Sequence, residues 1–438
     1  MTMADVVGRG GQRVVTVFDI DLPPGLAFIR SLGRADVPIV ACSARRAAAG
    51  RLSRYATIWR RCPPVQDCDR FIDWLTEQMG SGAIDLVAPT SDWVMFCVAE
   101  AIERLGRHPD EVGHPDPERV RTCLIKDRFA GALTACGFPS PPTAVPTSLH
   151  HALHLADQIG YPVVLKPRSH VGIGTARGVV VHGPDELRAA FRPFVAGLDH
   201  RTVRRHVTGL CLPLMQRYFD LGTVEVISIS GLLAGGEVLS LHHSRKIAQA
   251  PARLGVGSMF EAVGPQPFTP AAVRTVHHVL GSGIFELEVL VERATGEHYA
   301  IDLNPRGFGQ MALDIAVGHD LPRLWYGSVT GVRRTETAPA VRRPRLWHDG
   351  VSSYAGLALG IARGPARVRA LGHAVDIARS PKVGAAFAWS DPLPGVVFGL
   401  GHLRHPRSFV RQFLVDVECP GRRTTDDDVP ASALARSA

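Results

Sequence analysis

The chain has 438 residues, with 49 Lys+Arg against 41 Asp+Glu for a formal charge of +8, and 45% of its residues are apolar. That length suggests two or three domains of roughly 100–200 residues each, with ample apolar content for packed cores. The balance excludes disordered and collagen-like classes.

The opening run Arg13–Ile20 is short and β-branched, as expected of a buried parallel strand. Leu26–Leu32 follows as a helical stretch, Val37–Cys42 as a second strand, Asp69–Met79 as a helix and Ala83–Pro89 as a later strand. Alternating strands and helices argue for a parallel α/β domain over residues 12–118. No GxGxxG follows the first strand, so a dinucleotide site is not supported.

Asp116–Cys136 then reads as helical, Gly137–Pro142 breaks it, and Ser148–Ile159 is an amphipathic helix with Ser148 as N-cap. Strand-like runs cover Pro162–Lys166, Gly178–Val181, Leu212–Phe219, Thr223–Ser230 and Gly236–His242, and Phe285–Glu292 with His298–Asn304 forms a hairpin across Arg293–Gly296. The middle region, 119–330, is therefore α+β with antiparallel strands. Residues 331–423 form a basic extension rich in Pro, Arg and Gly, and 424–438 a polar, disordered tail.

The charge is uneven. Residues 331–415 hold 13 Lys+Arg and 4 Asp+Glu, a net of +9, and +8 less +9 leaves −1 for all other residues. A basic third can meet nucleic acid, a lipid surface or an acidic substrate. With no aromatic-interleaved basic run, a solvated Arg-rich face is the simpler expectation and no nucleic-acid partner is expected. Eight cysteines without a CxxC pair, in apolar surroundings such as Met95–Val98, are the pattern of reduced, buried thiols. Asp5 and the lack of an apolar run near it argue against a secretory signal. Tyr354–Ala362 is far short of the ~20 residues that span a bilayer. A soluble, cytoplasmic protein without stable membrane insertion is expected.

Three features carry chemistry. Val163–Pro167 ends a strand in Lys166 and leads into a loop with Gly172, Gly174 and Gly178. Backbone N–H groups of such a loop can approach phosphate oxygens while the lysine supplies a point charge, although taken alone plain hairpin punctuation is the favoured reading. Second, strand alternation puts Glu286 and Glu288 on one face, as it does Asp302 and Asn304, so the hairpin can gather hard oxygen ligands suited to Mg2+. Third, Ser244–Arg253 places Arg245 and Lys246 at a strand end, where cations can neutralise charge developing on a transferred group. His150, His151 and His154 have helical spacing, but exposed histidines on a helix account for them.

Taken together these motifs resemble the ATP-grasp superfamily over about residues 12–330. Asp302-Leu303-Asn304-Pro305-Arg306 looks like the family's metal-binding hairpin, with Asp302 where relatives carry Glu. Val164–Pro167 resembles its phosphate-binding lysine strand and Ile125–Phe129 the helix that opens the grasp domain. Met215–Phe219 resembles the hinge that holds adenine, Glu225 stands at the ribose-binding acid, and Arg245–Pro251 resembles a segment of biotin carboxylase and carboxylate-amine ligases.

The resemblance implies a pre-ATP-grasp Rossmann-like domain, then two α+β subdomains clamping ATP, then a small extension. It implies ATP contacts from Lys126, Lys166, Gly172, Gly174, Gln216, Tyr218, Phe219 and Glu225, and two Mg2+ ions, with Mn2+ as a substitute, on Glu288, Asp302 and Asn304. Lys246 and Arg306, with Arg245 beside them, would stabilise the transferring group. The implied reaction is ligation of a small carboxylic acid to an amine through an acyl phosphate. A bicarbonate-activating enzyme, a catalytically inactive nucleotide-binding regulator and a homodimer all stay open.

Overall fold

The computed structural model describes residues 12–171, 178–198, 210–250, 254–332, 346–350 and 379–403, with 207, 353 and 375. Gly172, Gly174, most of 331–378 and the tail 424–438 lie outside the described residues.

The first layer is built from β1 (Val15–Val17), α1 (Pro23–Arg34), β2 (Ile39–Ser43), β3 (Ile58–Arg61), α2 (Cys68–Gly80), β4 (Leu86–Val87) and α3 (Asp92–Leu105). Its four strands lie in the order β3-β2-β1-β4 and every pairing is parallel, as the strand–helix alternation requires. Prolines open α1, and Ser91 caps α3 by accepting from the Val94 N–H at 3.2 Å.

The stretch expected as one helix over 116–136 is two, α4 (Pro117–Leu124) and α5 (Lys126–Cys136), because Ile125 is extended between them. Asp116 caps the first through the N–H groups of Glu118 and Arg119. The second sheet follows with β5 (Thr143–Ala144), α6 (Leu149–Ile159), β6 (Val163–Lys166), β7 (Val179–Val181), α7 (Pro184–Ala196) and β8 (Leu214–Arg217). It is antiparallel in the order β5-β8-β6-β7, and Val163, Leu165 and Met215 bury one face under α6 and α7. Ser148 does cap α6, accepting from the His151 N–H at 3.1 Å.

The third sheet comprises β9 (Val224–Ala234), β10 (Glu237–Ala250), β11 (Val256–Ala262), β12 (Gly283–Glu292), β13 (His298–Asn304), β14 (Leu346–His348) and β15 (Lys382–Gly384), ordered β13-β12-β9-β10-β11-β14-β15. Helices α8 (Thr269–Leu280), α9 (Met311–Val317), α10 (Leu321–Thr330) and α11 (Pro392–Leu403) complete the described chain. β14 pairs with β11 and β15 with β14, so strands beyond the expected boundary at residue 330 extend this sheet. Strand β10 also runs on through Arg245 and Lys246 to Ala250, so these cations lie within a strand and not at its end.

One face of the third sheet buries Ile227, Ile229, Leu287 and Val289 with residues of α5 and α8. The first and third sheets share a core in which Phe28, Phe308, Leu232, Ile284 and Trp325 are fully or almost fully buried. Gly307 sits at this junction: a Cβ there would lie 3.2 Å from Phe28, Pro24 and the Pro89 carbonyl, to which its own N–H donates at 2.8 Å.

Candidate active site

The face of the third sheet opposite the α5–α8 core gathers polar side chains by register. Glu286 lies across from Asn304 on one side and Ser230 on the other, Glu288 across from Asp302 and Ser228, and Ser228 across from Ser244. Two residues further along β10, Lys246 shares this face. Its Nζ lies 3.2 Å from both Glu288 oxygens. Asn304 Nδ2 donates to Glu286 Oε2 at 3.1 Å, and the buried Gln310 donates to Glu286 Oε1 and, at 3.3 Å, to Ser228 Oγ.

Other elements bring cations to the same face. Lys126, the first residue of α5, donates to Asp302 Oδ1 at 2.7 Å, and its backbone N–H donates to the Arg168 carbonyl at 2.8 Å, tying α5 to the segment after β6. Arg168 is held by Asp127 at 2.6–2.7 Å, and His170 Nε2 lies 3.8 Å from Asp302 Oδ2. Lys166 donates to Gln216 Oε1 at 2.7 Å, and Gln216 in turn donates to Thr143 Oγ1 at 2.7 Å. From the hairpin end, Arg306 donates to Asp92 at 2.5 and 3.2 Å and to Asn304 Oδ1 at 2.8 Å.

This crowding moves proton affinities. Burial, and then the Lys126 charge, lowers the Lys166 ammonium to about 7. Burial alone would raise Asp302, but Lys126 and His170 outweigh it and hold the carboxyl well below the usual range. Burial, reinforced by the Glu288 charge, pushes Glu286 upward. Strongly perturbed groups gathered in one patch are a feature of functional sites.

Of the residues singled out in the sequence, Lys126, Lys166, Lys246, Glu286, Glu288, Asp302, Asn304, Gln216 and Arg306 fall in this group. Phe219 stands beside it, packed with Val224, Val226, Leu290 and Ile301, its ring 5.1 Å from that of Tyr299 and 5.0 Å from the Arg217 guanidinium. Tyr218 contributes its backbone N–H to the Pro162 carbonyl at 3.0 Å.

Glu225 and Arg245 are not brought to it. Both alternate with Ile227 onto the opposite face, where Arg245 pairs with Glu225 at 3.2 Å and Glu261 at 2.8 Å, and Arg293 pairs with Glu225 at 2.6 Å. The parity was visible in Val224–Ser230, where Glu225 shares a set with Ile227 and Ile229, and Val226 with the two serines. Asp92, Asp127, Arg168 and Gln310 were missed. Only the fold brings Asp92 to Arg306 from 214 positions away.

Among the described residues no three His, Cys, Asp or Glu side chains converge as a metal cage. The set of Glu288, Asp302 and Asn304, with Glu286 adjoining, fits Mg2+, which uses one or two carboxylates and completes its shell with waters and phosphates. The histidines of α6 have local partners, His151 with Thr147 at 3.0 Å and His154 with Gln158 at 3.2 Å.

No family model matches the chain. It is 24% identical over 230 residues to the carbamoyl phosphate synthase large chain of Pyrobaculum aerophilum, a match covering 51% of this chain and 21% of that protein, so the chain spans about a fifth of that relative. Its structure is similar to the biotin carboxylase domain of Hydrogenobacter thermophilus 2-oxoglutarate carboxylase, crystallised as a dimer with MgADP, ADP and bicarbonate, at a TM-score of 0.58 and 14% identity, covering 74% and 71% of the two chains. Campylobacter jejuni biotin carboxylase gives a TM-score of 0.58 at 16% identity, covering 74% and 72%. Staphylococcus aureus N5-carboxyaminoimidazole synthetase gives 0.53 at 12%, covering 74% and 78%. The fold is thus the ATP-grasp fold. Among the described residues no helix is long and apolar enough to cross a membrane.

Proposed function

We propose that the chain uses ATP to join a small carboxylic acid to an amine through an acyl phosphate. The observation that carries this reading is the convergence of Lys126 and Lys246, from two separate elements, on the carboxylates of one hairpin, with Lys166 of β6 near enough to feel the Asp302 and Glu288 charges. Lys126 and Lys166 hold the ATP phosphates, and Gln216 and the Tyr218–Phe219 segment take the adenine against the apolar floor of Val226 and Leu290. Glu288, Asp302 and Asn304 would hold Mg2+, which when bound neutralises charge on the phosphate oxygens.

A carboxylate oxygen attacks the γ phosphorus and ADP leaves. The amine nitrogen then attacks the acyl carbon, loses a proton, and inorganic phosphate leaves with the C–O bond electrons. Positioning and charge neutralisation do the chemistry, so Arg306 and Lys246 act on the transferring group and on the tetrahedral intermediate, and no nucleophilic side chain is required. Under this reading residues 12–118 form a pre-ATP-grasp domain and 119–330 the grasp domain, working in the cytoplasm, with a homodimer compatible.

An ADP-release screen of carboxylic acids crossed with amines, with the product identified by mass, tests it. Absence of ATP binding with Mg2+, or intact turnover in Glu288→Gln, would sink it. A bicarbonate-activating reaction is the second reading, favoured by the bicarbonate in the similar 2-oxoglutarate carboxylase domain. Bicarbonate-dependent ADP formation without an amine would select it.

A further inference from the structure

The C-terminal segment is fastened to the first layer yet displays apolar side chains. Asp391, 2% exposed, accepts from Arg30 Nε at 3.0 Å, Ser53 Oγ at 2.8 Å and the Arg54 N–H at 3.0 Å, while Arg30 Nη2 donates to the Ala386 and Asp391 carbonyls at 2.7 and 2.9 Å. Gly395 lets α11 close onto Phe387, since a Cβ there would lie 2.6 Å from the Phe387 Cα. On this fixed support Trp389 is 90% exposed, Leu393 55%, Val396 48% and Leu400 50%, with Phe387 edge-on to Trp389 at 5.1 Å. Leu393, Val396 and Leu400 recur at three and four residues, so they form one helical face.

Helix α11 packs against the turn Ala49–Leu52, where Leu52 is also exposed. Around that turn residues 44–61 carry the exposed Arg45, Arg46, Arg51, Arg54 and Arg61, a half-buried Arg60 and no acidic residue. Of their guanidinium groups, only that of Arg45 has a carboxylate partner among the described residues, Asp21 at 3.4 Å. Exposed Lys382 adds charge from the C-terminal side.

We propose that this face docks onto an anionic lipid surface, the Trp389 ring and the Leu393–Leu400 row entering the headgroup boundary while the arginines meet the headgroups. A second copy is disfavoured by charge: a two-fold contact sets the same patch against itself, and the arginine rims would repel. A protruding tryptophan beside an aliphatic row is the chemistry of a membrane interface. The inference stands apart from the proposed reaction.

The test is cosedimentation of the full chain with phosphatidylcholine vesicles containing or lacking phosphatidylglycerol. Binding is expected only with the anionic vesicles, weakening as salt rises, and accompanied by a blue shift of Trp389 emission taken as the difference from Trp389→Phe. Leu400→Glu, and separately Arg46→Glu with Arg54→Glu, should each reduce partitioning at least about tenfold. Both change exposed side chains, so an unchanged melting temperature separates lost docking from lost fold. The proposal is overturned by a wild-type chain that ignores anionic vesicles, by equal binding to neutral ones, by a solution dimer that Leu400→Glu dissolves in the absence of vesicle binding, or by saturable polyglutamate binding without vesicle binding.

Discussion

The two faces of the third sheet carry charged networks drawn from the same strands, and they behave differently. On the back, Arg245 is shared between Glu225 and Glu261, with Arg293 on Glu225, all within the sheet and its hairpin turn. On the front, Glu288 and Asp302 meet lysines from β10 and α5, Lys166 approaches from the second sheet, and Arg306 reaches into the first layer. The back network is a partly solvated ladder whose charges satisfy one another. The front network holds cations and carboxylates that a phosphate or a metal could claim. Residue type alone does not separate a site from a surface; the number of independent elements that converge does.

That contrast is broken most directly at the carboxylates. Glu288→Gln should reduce ADP formation about 100-fold or more, while Glu225→Gln on the back face should stay within roughly threefold, from the usual weight of a single electrostatic contact in a dry site. Equal losses from both would erase the distinction. Next in size, Lys166→Met should weaken ATP binding by roughly tenfold or more, because a charge-assisted hydrogen bond to phosphate disappears; titration calorimetry gives the number.

The same lysine sharpens the comparison through pH. Burial lowers the Lys166 ammonium to about 7, and phosphate favours its charged form, so above that pH binding takes up a proton. Affinity should therefore fall as pH rises from about 7 towards the higher value in the complex, by at most about tenfold per unit. Calorimetry in buffers of different ionisation heat reads the proton directly, and absence of uptake at pH about 8 would remove Lys166 from the phosphates. Smallest of all, Arg245→Ala should cost about 1 kcal/mol of stability and leave turnover unchanged, because its ion pairs are partly solvated and screened.

Much of this was legible before any coordinates. The hairpin, its turn at Arg293–Gly296 and the shared faces of Glu286 with Glu288 and of Asp302 with Asn304 followed from a two-residue period, whereas the register that pairs Glu288 with Asp302 and Glu286 with Asn304 includes a shift between Glu288 and Val289 that the period does not give. The parallel first sheet followed from alternating strands and helices. What stayed hidden depended on long-range contact. Whether Lys246 ended a strand or lay within one was decided by β11, which pairs alongside it and was absent from the sequence reading. Glu225 and Arg245 lie apart from the group for a different reason: strand parity sets them on the face of Ile227, whatever motif they resemble.

Because Arg306 divides its guanidinium between Asn304 and Asp92, the hairpin cannot be inherited as an isolated cassette. A descendant that exchanges the first layer and loses Asp92 strands a largely buried cation, a change that typically costs ~3–5 kcal/mol. The first and third sheets are thus coupled through one guanidinium and a shared core, whereas the second sheet keeps an apolar cluster of its own and meets them through the polar site.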